Sequence, residues 1–228
     1  MSLTLAEAIA KVNRVFAGYG TMSTSPGSLV PAGWLEGKVY EAWVLTIVLE
    51  RLRAIEGFKV TLVGGSKVHL KSGGGPINTN YPRFLLTRAG TPAFEVWTDV
   101  EFSSMSFAMA QSKGLAGSNP GKPHKHELDI VVVPAGTSGH PTFEEIVIGI
   151  ECKNTAFHKS MARAALGVRR ELSLLHEDEP TYFATWPRSR VPARPASVLL
   201  VVSTDPAVTD YNDAGGFYGV DFLHEPMV

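Results

Sequence analysis

This 228-residue chain has a single cysteine, Cys152, and a net charge of only −1 at neutral pH. One cysteine excludes an internal disulfide framework and is typical of a protein from a reducing compartment. The small net charge excludes a general electrostatic attraction to nucleic acids or membranes. Any polyanionic partner therefore has to be bound by a local basic patch.

Long apolar runs are also missing from the sequence. No stretch approaches the roughly 18 consecutive apolar residues of a membrane-spanning helix. Residues 1–16 mix acidic and basic side chains with apolar ones, and they lack the basic-then-apolar order of a signal peptide. We therefore expect a cytoplasmic protein with no membrane partner.

Hydrophobic residues make up 44% of the chain, which is sufficient for one sizeable core. Apolar residues at helical spacing predict helices over residues 3–16, 34–55 and 155–175, and Thr155 is a candidate cap of the last of these. A further short helix is expected near residues 107–113. These segments are the helical part of the predicted fold.

Runs rich in β-branched residues predict the strands. Residues 57–65 and 66–71 are expected to form a hairpin around a Gly-Gly turn, whereas the proline-rich residues 179–195 are expected to be a loop. The other predicted strands cover residues 81–88, 93–102, 126–136, 144–154 and 196–204, with an edge strand in 215–226. This order predicts an α/β fold in which a mixed central β-sheet is flanked by helices, within one domain spanning residues 1–228.

Two charges lie where a buried strand should continue. The sequence "IVIGIECKN" is apolar until Glu151 and Lys153, which share one face of the predicted strand. The same alternation in "HELDIVVV" places Asp129 on one face with Glu127 and Val131. If the two strands are neighbours, Asp129 and Glu151 come close together and need a neutralising partner such as a divalent cation. The alternative is that these charges mark strand ends in solvent.

A third acidic residue lies on the apolar face of a predicted helix. At about 100° per residue, Glu41 falls within the same stripe as Val44 and Val48. An ionised carboxylate on a buried face has to be paired, protonated or bound to a metal. Pairing with a cationic side chain such as Lys38 or Arg53 is the alternative to a metal.

Together these residues resemble the motif of the PD-(D/E)XK nuclease superfamily, which combines a helix-borne acid, a strand aspartate and Glu-x-Lys on the next strand. Glu41 resembles the helix-borne acid, and Asp129 resembles the metal-binding aspartate. Glu151 resembles the second metal ligand, and Lys153 resembles the motif lysine. The chain differs from the pattern in having no proline immediately before Asp129, and it lacks the glutamine-containing motif of some exonuclease branches.

The resemblance implies a restriction-endonuclease-like core of order αβββαβ, which would cover about residues 34–203. Residues 1–33 would be an N-terminal helical extension, and about residues 64–126 would contain an inserted β-rich segment. The helix, strands, helix and strand predicted from the periodicity are compatible with this order.

The resemblance also implies a metal-dependent endonuclease that hydrolyses phosphodiester bonds in DNA, of a restriction or defence type. Glu41, Asp129 and Glu151 would bind Mg²⁺, with Mn²⁺ as a substitute, and Lys153 would complete the catalytic set. One alternative is a catalytically silent nuclease-like module that binds nucleic acid or supports assembly. Another is an unrelated α/β protein in which the charges are structural ion pairs.

Candidate DNA contacts lie on two segments. Lys159, Arg163 and Arg170 form a cationic ridge on the helix that follows the motif, opposite its apolar face. A second basic cluster precedes Asp129 and consists of Lys122, His124, Lys125 and His126. The alternative is an ordinary solvated face. Because a small domain with one site cuts one strand at a time, we expect a homodimer or a higher homo-oligomer.

Overall fold

A computed structural model of the protein describes residues 4–19, 36–65, 68, 70 and 73–227. The α-helices in these ranges are α1 (Leu5–Ala17), α2 (Glu36–Ala54), α3 (Met105–Ser112), α4 (Lys159–Leu172) and α5 (Asn212–Phe217). The strands are β1 (Lys59–Val63), β2 (Arg83–Thr87), β3 (Phe94–Ser103), β4 (Lys125–Pro134), β5 (Ile148–Lys153), β6 (Leu174–Pro180), β7 (Arg190–Arg194), β8 (Val198–Ser203) and β9 (Val220–His224).

The centre of the fold is a seven-stranded sheet in the order β1-β2-β3-β4-β5-β8-β9. Strands β1 to β5 pair antiparallel, whereas β5 pairs parallel with β8 and β8 pairs parallel with β9. The chain crosses from β5 to β8 through α4, as a parallel connection requires. The predicted α/β fold with a mixed central sheet flanked by helices is confirmed.

The sheet separates two apolar cores. Helices α1 and α2 pack on one face, where Val12, Leu49 and Ile150 belong to one cluster. Helix α4 packs on the other face, where Ala165 and Val201 belong to the second cluster. Because both faces are covered, β8 is buried at every residue and has no polar alternation, as its sequence indicates.

The helix boundaries are close to those predicted. Thr4 caps α1 and its side chain accepts a hydrogen bond from the Glu7 backbone amide, so this helix begins at Leu5. Helix α4 begins at Lys159 with His158 at its cap position, and Thr155 lies outside it. Thr155 is therefore not the cap.

Two strand predictions are wrong. The hairpin partner of β1 is β2 rather than residues 66–71, of which 66, 67, 69 and 71 lie outside the described residues. Residues 179–195, predicted as loop, contain all of β7, which pairs with β6 in a separate two-stranded sheet. In β7 Val191 and Ala193 are buried between exposed arginines, a period of two that the surrounding prolines conceal.

The segment of residues 64–126 contains β2, β3 and α3. Strand β3 lies between β2 and β4 in the central sheet and is buried at nearly every residue. The segment therefore contributes an inner strand of the sheet. Within the described residues, no helix is both long enough and apolar enough to cross a membrane.

A buried carboxylate at the end of α2 holds the loop between β6 and β7. The Glu56 side chain is fully buried and accepts hydrogen bonds from the backbone amides of Ala184, Thr185 and Trp186 at 2.7–2.8 Å. Arg88 donates a further bond at 3.0 Å. Burial alone raises the pKa of this carboxyl, but the amide bonds and Arg88 outweigh burial and leave the pKa lowered.

We predict that Glu56→Gln lowers the free energy of unfolding by about 2–4 kcal/mol at neutral pH, because an amide cannot accept all of these donors. Urea denaturation measures the change. In the wild type the contribution of Glu56 is present at neutral pH and is lost as the pH falls below the ordinary value of 4.5. Glu50→Gln, at an exposed position of α2, is the control; equal stability of the two variants would contradict the prediction.

Candidate functional site

The candidate site lies where the pairing between β3 and β4 is interrupted at the same level on both strands. The pairs Thr98↔Ile130 and Val100↔Leu128 share one register, and Asp99 lies between them with a φ of 50°. A positive φ is unusual for a residue other than glycine and turns the chain out of the regular pleat. The interruption changes which side chains face which helix.

On both strands the alternation of faces shifts by one residue at this level. In β4, Leu128 and Val131 both belong to the core under α4, whereas regular alternation would separate them. Ile130 faces the α2 core. Asp129 lies with Glu41 of α2, so the prediction that it shares a face with Val131 is wrong, because the strand does not keep a period of two here.

Asp99 is bound by a lysine from α2. The Lys38 ammonium contacts Asp99 Oδ1, and it lies 2.5 Å from Glu41 Oε2 one helical turn later. Asp99 is only 1% exposed, and Glu41 is 15% exposed. The sequence alternative in which Lys38 pairs with Glu41 therefore matches the structure, and Asp99 is an additional member that the sequence reasoning missed.

Asp129 lies where β4 and β5 stop pairing. The last pair in the ladder between these strands is Ile130↔Ile150, and the Asp129 carboxylate accepts a hydrogen bond from the Cys152 backbone amide at 2.6 Å. Beyond the last pair, the Asp129 side chain thus accepts the β5 hydrogen bond that a backbone carbonyl of β4 would accept in a continued ladder. This bond fixes one carboxylate oxygen at the end of the ladder.

Oxygen atoms of Glu41, Asp99 and Asp129 lie within 4.8 Å of one another, and we call these three residues the acidic group. Oxygens bound to one divalent ion lie at most about 4–5 Å apart, because each is about 2.0–2.6 Å from the ion. Carboxylate oxygens are also the ligands that Mg²⁺ and Mn²⁺ prefer. The donor set and its spacing therefore fit a hard divalent cation.

The predicted Glu-x-Lys residues form an ion pair that faces α4. Lys153 Nζ lies 2.7 Å from Glu151 Oε2. Both residues line a cavity of about 100 Å³ together with Met161, Ala165 and Val168 of α4. Glu151 is not part of the acidic group, but the negative charge of Asp129 acts on it. The metal-ligand role predicted for Glu151 stays a prediction.

Burial and like charges raise the pKa of several carboxyls in this region. Burial, followed by the charges of Asp129 and Asp99, raises the pKa of Glu41 to about 7 despite the contact with Lys38. Burial and the charge of Asp129 likewise raise the pKa of Glu151. Burial and the negative charge of Asp129 thus act on both Glu41 and Glu151.

The lysine of this pair is held in its charged form. Burial alone lowers the pKa of Lys153, but the carboxylates of Glu151 and Asp129 outweigh burial and leave the pKa raised. Lys153 is therefore a permanent cation at neutral pH.

The predicted DNA contacts differ in exposure. Lys159, Arg163 and Arg170 are all exposed on α4. Lys122 is also exposed, whereas the other members of the second cluster are half-buried. Among those, Lys125 binds Glu101 at 2.8 Å, and His124 and His126 pack against phenylalanine rings. The α4 ridge is the more accessible basic surface.

We predict that the free energy of unfolding of Glu41→Gln minus that of the wild type becomes more positive as the pH rises from about 4.5 to about 7. Native Glu41 keeps a proton that the unfolded chain has already released in this range, so ionisation destabilises the wild type as the pH rises. The full increase is about 3 kcal/mol. Urea denaturation in a chelating buffer measures it, with Glu50→Gln as control. A pH-independent difference for Glu41→Gln would show that burial does not perturb this carboxyl.

Comparisons with known proteins supply no relative from which a role could be transferred. No family model, curated protein or solved structure matches this chain.

Proposed function

We propose that this protein is a metal-dependent nuclease that hydrolyses phosphodiester bonds in DNA. One observation carries the proposal: carboxylates from α2, β3 and β4 converge to within 4.8 Å, and a charged Glu-x-Lys pair ends β5, the strand that pairs with β4. Metal-dependent phosphodiester hydrolysis uses a bound divalent cation, and a further positive charge near the scissile phosphate stabilises the transition state. The site provides ligands for the first and Lys153 for the second.

The order of the elements supports the proposal. The helix, three antiparallel strands, helix and parallel strand that the resemblance implies have counterparts in α2, β3, β4, β5, α4 and β8. Strands β1 and β2 extend the sheet at one edge, and β9 extends it at the other. In this arrangement Asp129 and Glu151 lie on neighbouring strands at the point where their pairing ends.

The acidic group would hold the metal through Glu41, Asp99 and Asp129. When bound there, Mg²⁺ would lower the pKa of the attacking water and neutralise charge on the leaving oxygen. The hydrogen bond from the Cys152 amide orients the Asp129 carboxylate for this role. Lys38 already contacts Glu41 and Asp99, so its ammonium competes with a metal for the same oxygens.

Lys153 would stabilise negative charge on the phosphate. Its raised pKa keeps it protonated at neutral pH, which suits electrostatic stabilisation and orientation of water better than proton abstraction. Glu151 holds the ammonium at 2.7 Å and so positions it.

DNA would be held by the exposed α4 ridge. Lys159 begins the helix after β5, so the ridge starts close in sequence to Lys153 and extends about 16 Å to Arg170 at 1.5 Å per residue. That length matches several successive phosphates of one strand. Cleavage of both strands of a duplex would require two copies of the chain, and a homodimer is part of the proposal.

We predict that Lys38→Met binds Mn²⁺ about tenfold more tightly than the wild type, because the metal no longer has to displace an ammonium from the carboxylates. Isothermal titration calorimetry measures the affinities. Asp129→Asn is expected to lose the binding, and Glu50→Gln is expected to leave it unchanged. If neither the wild type nor Lys38→Met binds Mn²⁺, the cluster is a structural ion-pair network and the proposal is wrong.

We predict that the protein nicks supercoiled plasmid DNA in the presence of Mg²⁺ or Mn²⁺ and that Asp129→Asn and Lys153→Met each lower the rate by at least about 100-fold. Gel electrophoresis of the plasmid measures the rate, with Glu50→Gln as the matched control. Mn²⁺ binding without cleavage of any DNA would favour the silent binding module. Cleavage that persists in both site variants would show that the site lies elsewhere.

A further inference from the structure

A second cavity lies at the far end of α4 from Lys159. It has a volume of about 370 Å³ and is lined by residues of α4, β6 and β7 and by Tyr218. We call it the α4 cavity. Leu166, Leu175 and Ala193 form part of its apolar wall, and Arg169 and Arg170 contribute positive charge. No acidic side chain is among the described residues that line it.

Arg169 is a buried cation with only neutral partners. The residue is 4% exposed, and its guanidinium donates hydrogen bonds of 2.8 Å to the Ser197 carbonyl and the Ser197 hydroxyl. It also contacts the Ser173 hydroxyl. The Nε atom is buried without a hydrogen-bond partner in the described part of the chain. Burial lowers the pKa of this group to about 10.

Two other arginines, Arg83 and Arg188, are each neutralised by a carboxylate. Arg83 binds Glu95 at 2.8 Å, and Arg188 makes a two-atom contact with Asp221. Buried charges usually have such partners, because an uncompensated ion in a protein interior is costly. Among the described residues, no carboxylate forms an ion pair with Arg169. A missing negative charge thus coincides with an open cavity.

We propose that the α4 cavity binds a small organic anion. The anionic end of this ligand would lie at Arg169 and Arg170, and its apolar body would pack against Leu166, Leu175 and Ala193. The anionic end of the ligand would supply the negative charge that the protein does not place beside Arg169. The volume is typical of small-molecule sites, which are mostly apolar with a few placed polar groups. A bare phosphate or a nucleic acid backbone would leave the apolar wall without a partner.

This proposal is independent of the nuclease assignment. The α4 cavity shares no residue with the acidic group or with the Glu151–Lys153 pair, and Arg170, which it has in common with the proposed DNA ridge, is changed in none of the test variants. Failure of either proposal therefore leaves the other intact.

The test uses two fluorescent probes that differ in one charge. Anilinonaphthalene sulfonate has an apolar ring system with one sulfonate, and phenylnaphthylamine has the same rings without the sulfonate. Fluorescence titration of the full-length wild type is expected to show saturable binding of one sulfonate probe per chain. The neutral probe is expected to bind about tenfold more weakly, because charged hydrogen bonds to arginine are lost.

A pair of variants at an exposed position assigns the binding to this cavity. Leu175 is 51% exposed, so Leu175→Glu and Leu175→Lys are expected to fold. We predict that the sulfonate binds at least about tenfold more weakly to Leu175→Glu than to Leu175→Lys, whereas the neutral probe distinguishes the two by less than about twofold. Equal sulfonate affinity of the two variants would overturn the proposal.

Substitution of the buried arginine supplies a second comparison. Arg169→Met is expected to weaken sulfonate binding by about tenfold while leaving the neutral probe within about twofold of the wild type. Circular dichroism verifies that this variant is folded; if it is not, the comparison at Leu175 decides the question. Unchanged sulfonate binding by a folded Arg169→Met variant would also overturn the proposal.

Discussion

The candidate site depends on the contact of one ammonium group with two carboxylates from different parts of the chain. Lys38 binds Glu41 within α2 and Asp99 from β3, and so it joins the helix to the interrupted strand. Without a cation at this position, the carboxylates of the acidic group would repel one another in a largely buried setting. The pairing of β3 with β4 then places Asp129 beside them, and the Cys152 amide fixes its orientation.

Helix α4 connects the parts of the molecule to which we assign chemistry. Its inner residues Met161, Ala165 and Val168 line the small cavity beside Glu151 and Lys153. Its outer face carries the exposed basic ridge, and its last turn forms one wall of the α4 cavity. One amphipathic helix therefore packs its apolar side on the sheet and presents exposed basic side chains to solvent, whereas Arg169 is buried on the apolar side beside the α4 cavity.

The sequence predicts the fold class and part of the site for clear physical reasons. Helical periodicity finds α2 and places Glu41 on its buried side, and the uniformly apolar β8 indicates a strand covered on both faces. Asp99 escapes detection because its position depends on a backbone interruption with positive φ, which period-two alternation does not represent. The contact between Lys38 and Asp99 is likewise a tertiary feature, since 61 residues separate the two positions. The identity of a bound metal or substrate is not encoded in periodicity at all.

The charges at the site do not balance within the protein. The acidic group brings three carboxylates together with one ammonium group, that of Lys38, while Glu151 is paired with Lys153. Part of the remaining negative charge is removed by a proton, since the pKa of Glu41 is raised to about 7. A proton on Glu41 and a divalent cation in the acidic group are alternative solutions to the same electrostatic problem, because each neutralises the same oxygens. Metal binding at neutral pH must therefore release the proton from Glu41 and displace Lys38 from its contacts. The metal affinity of the site thus depends on how tightly the carboxylates hold this proton and the Lys38 ammonium.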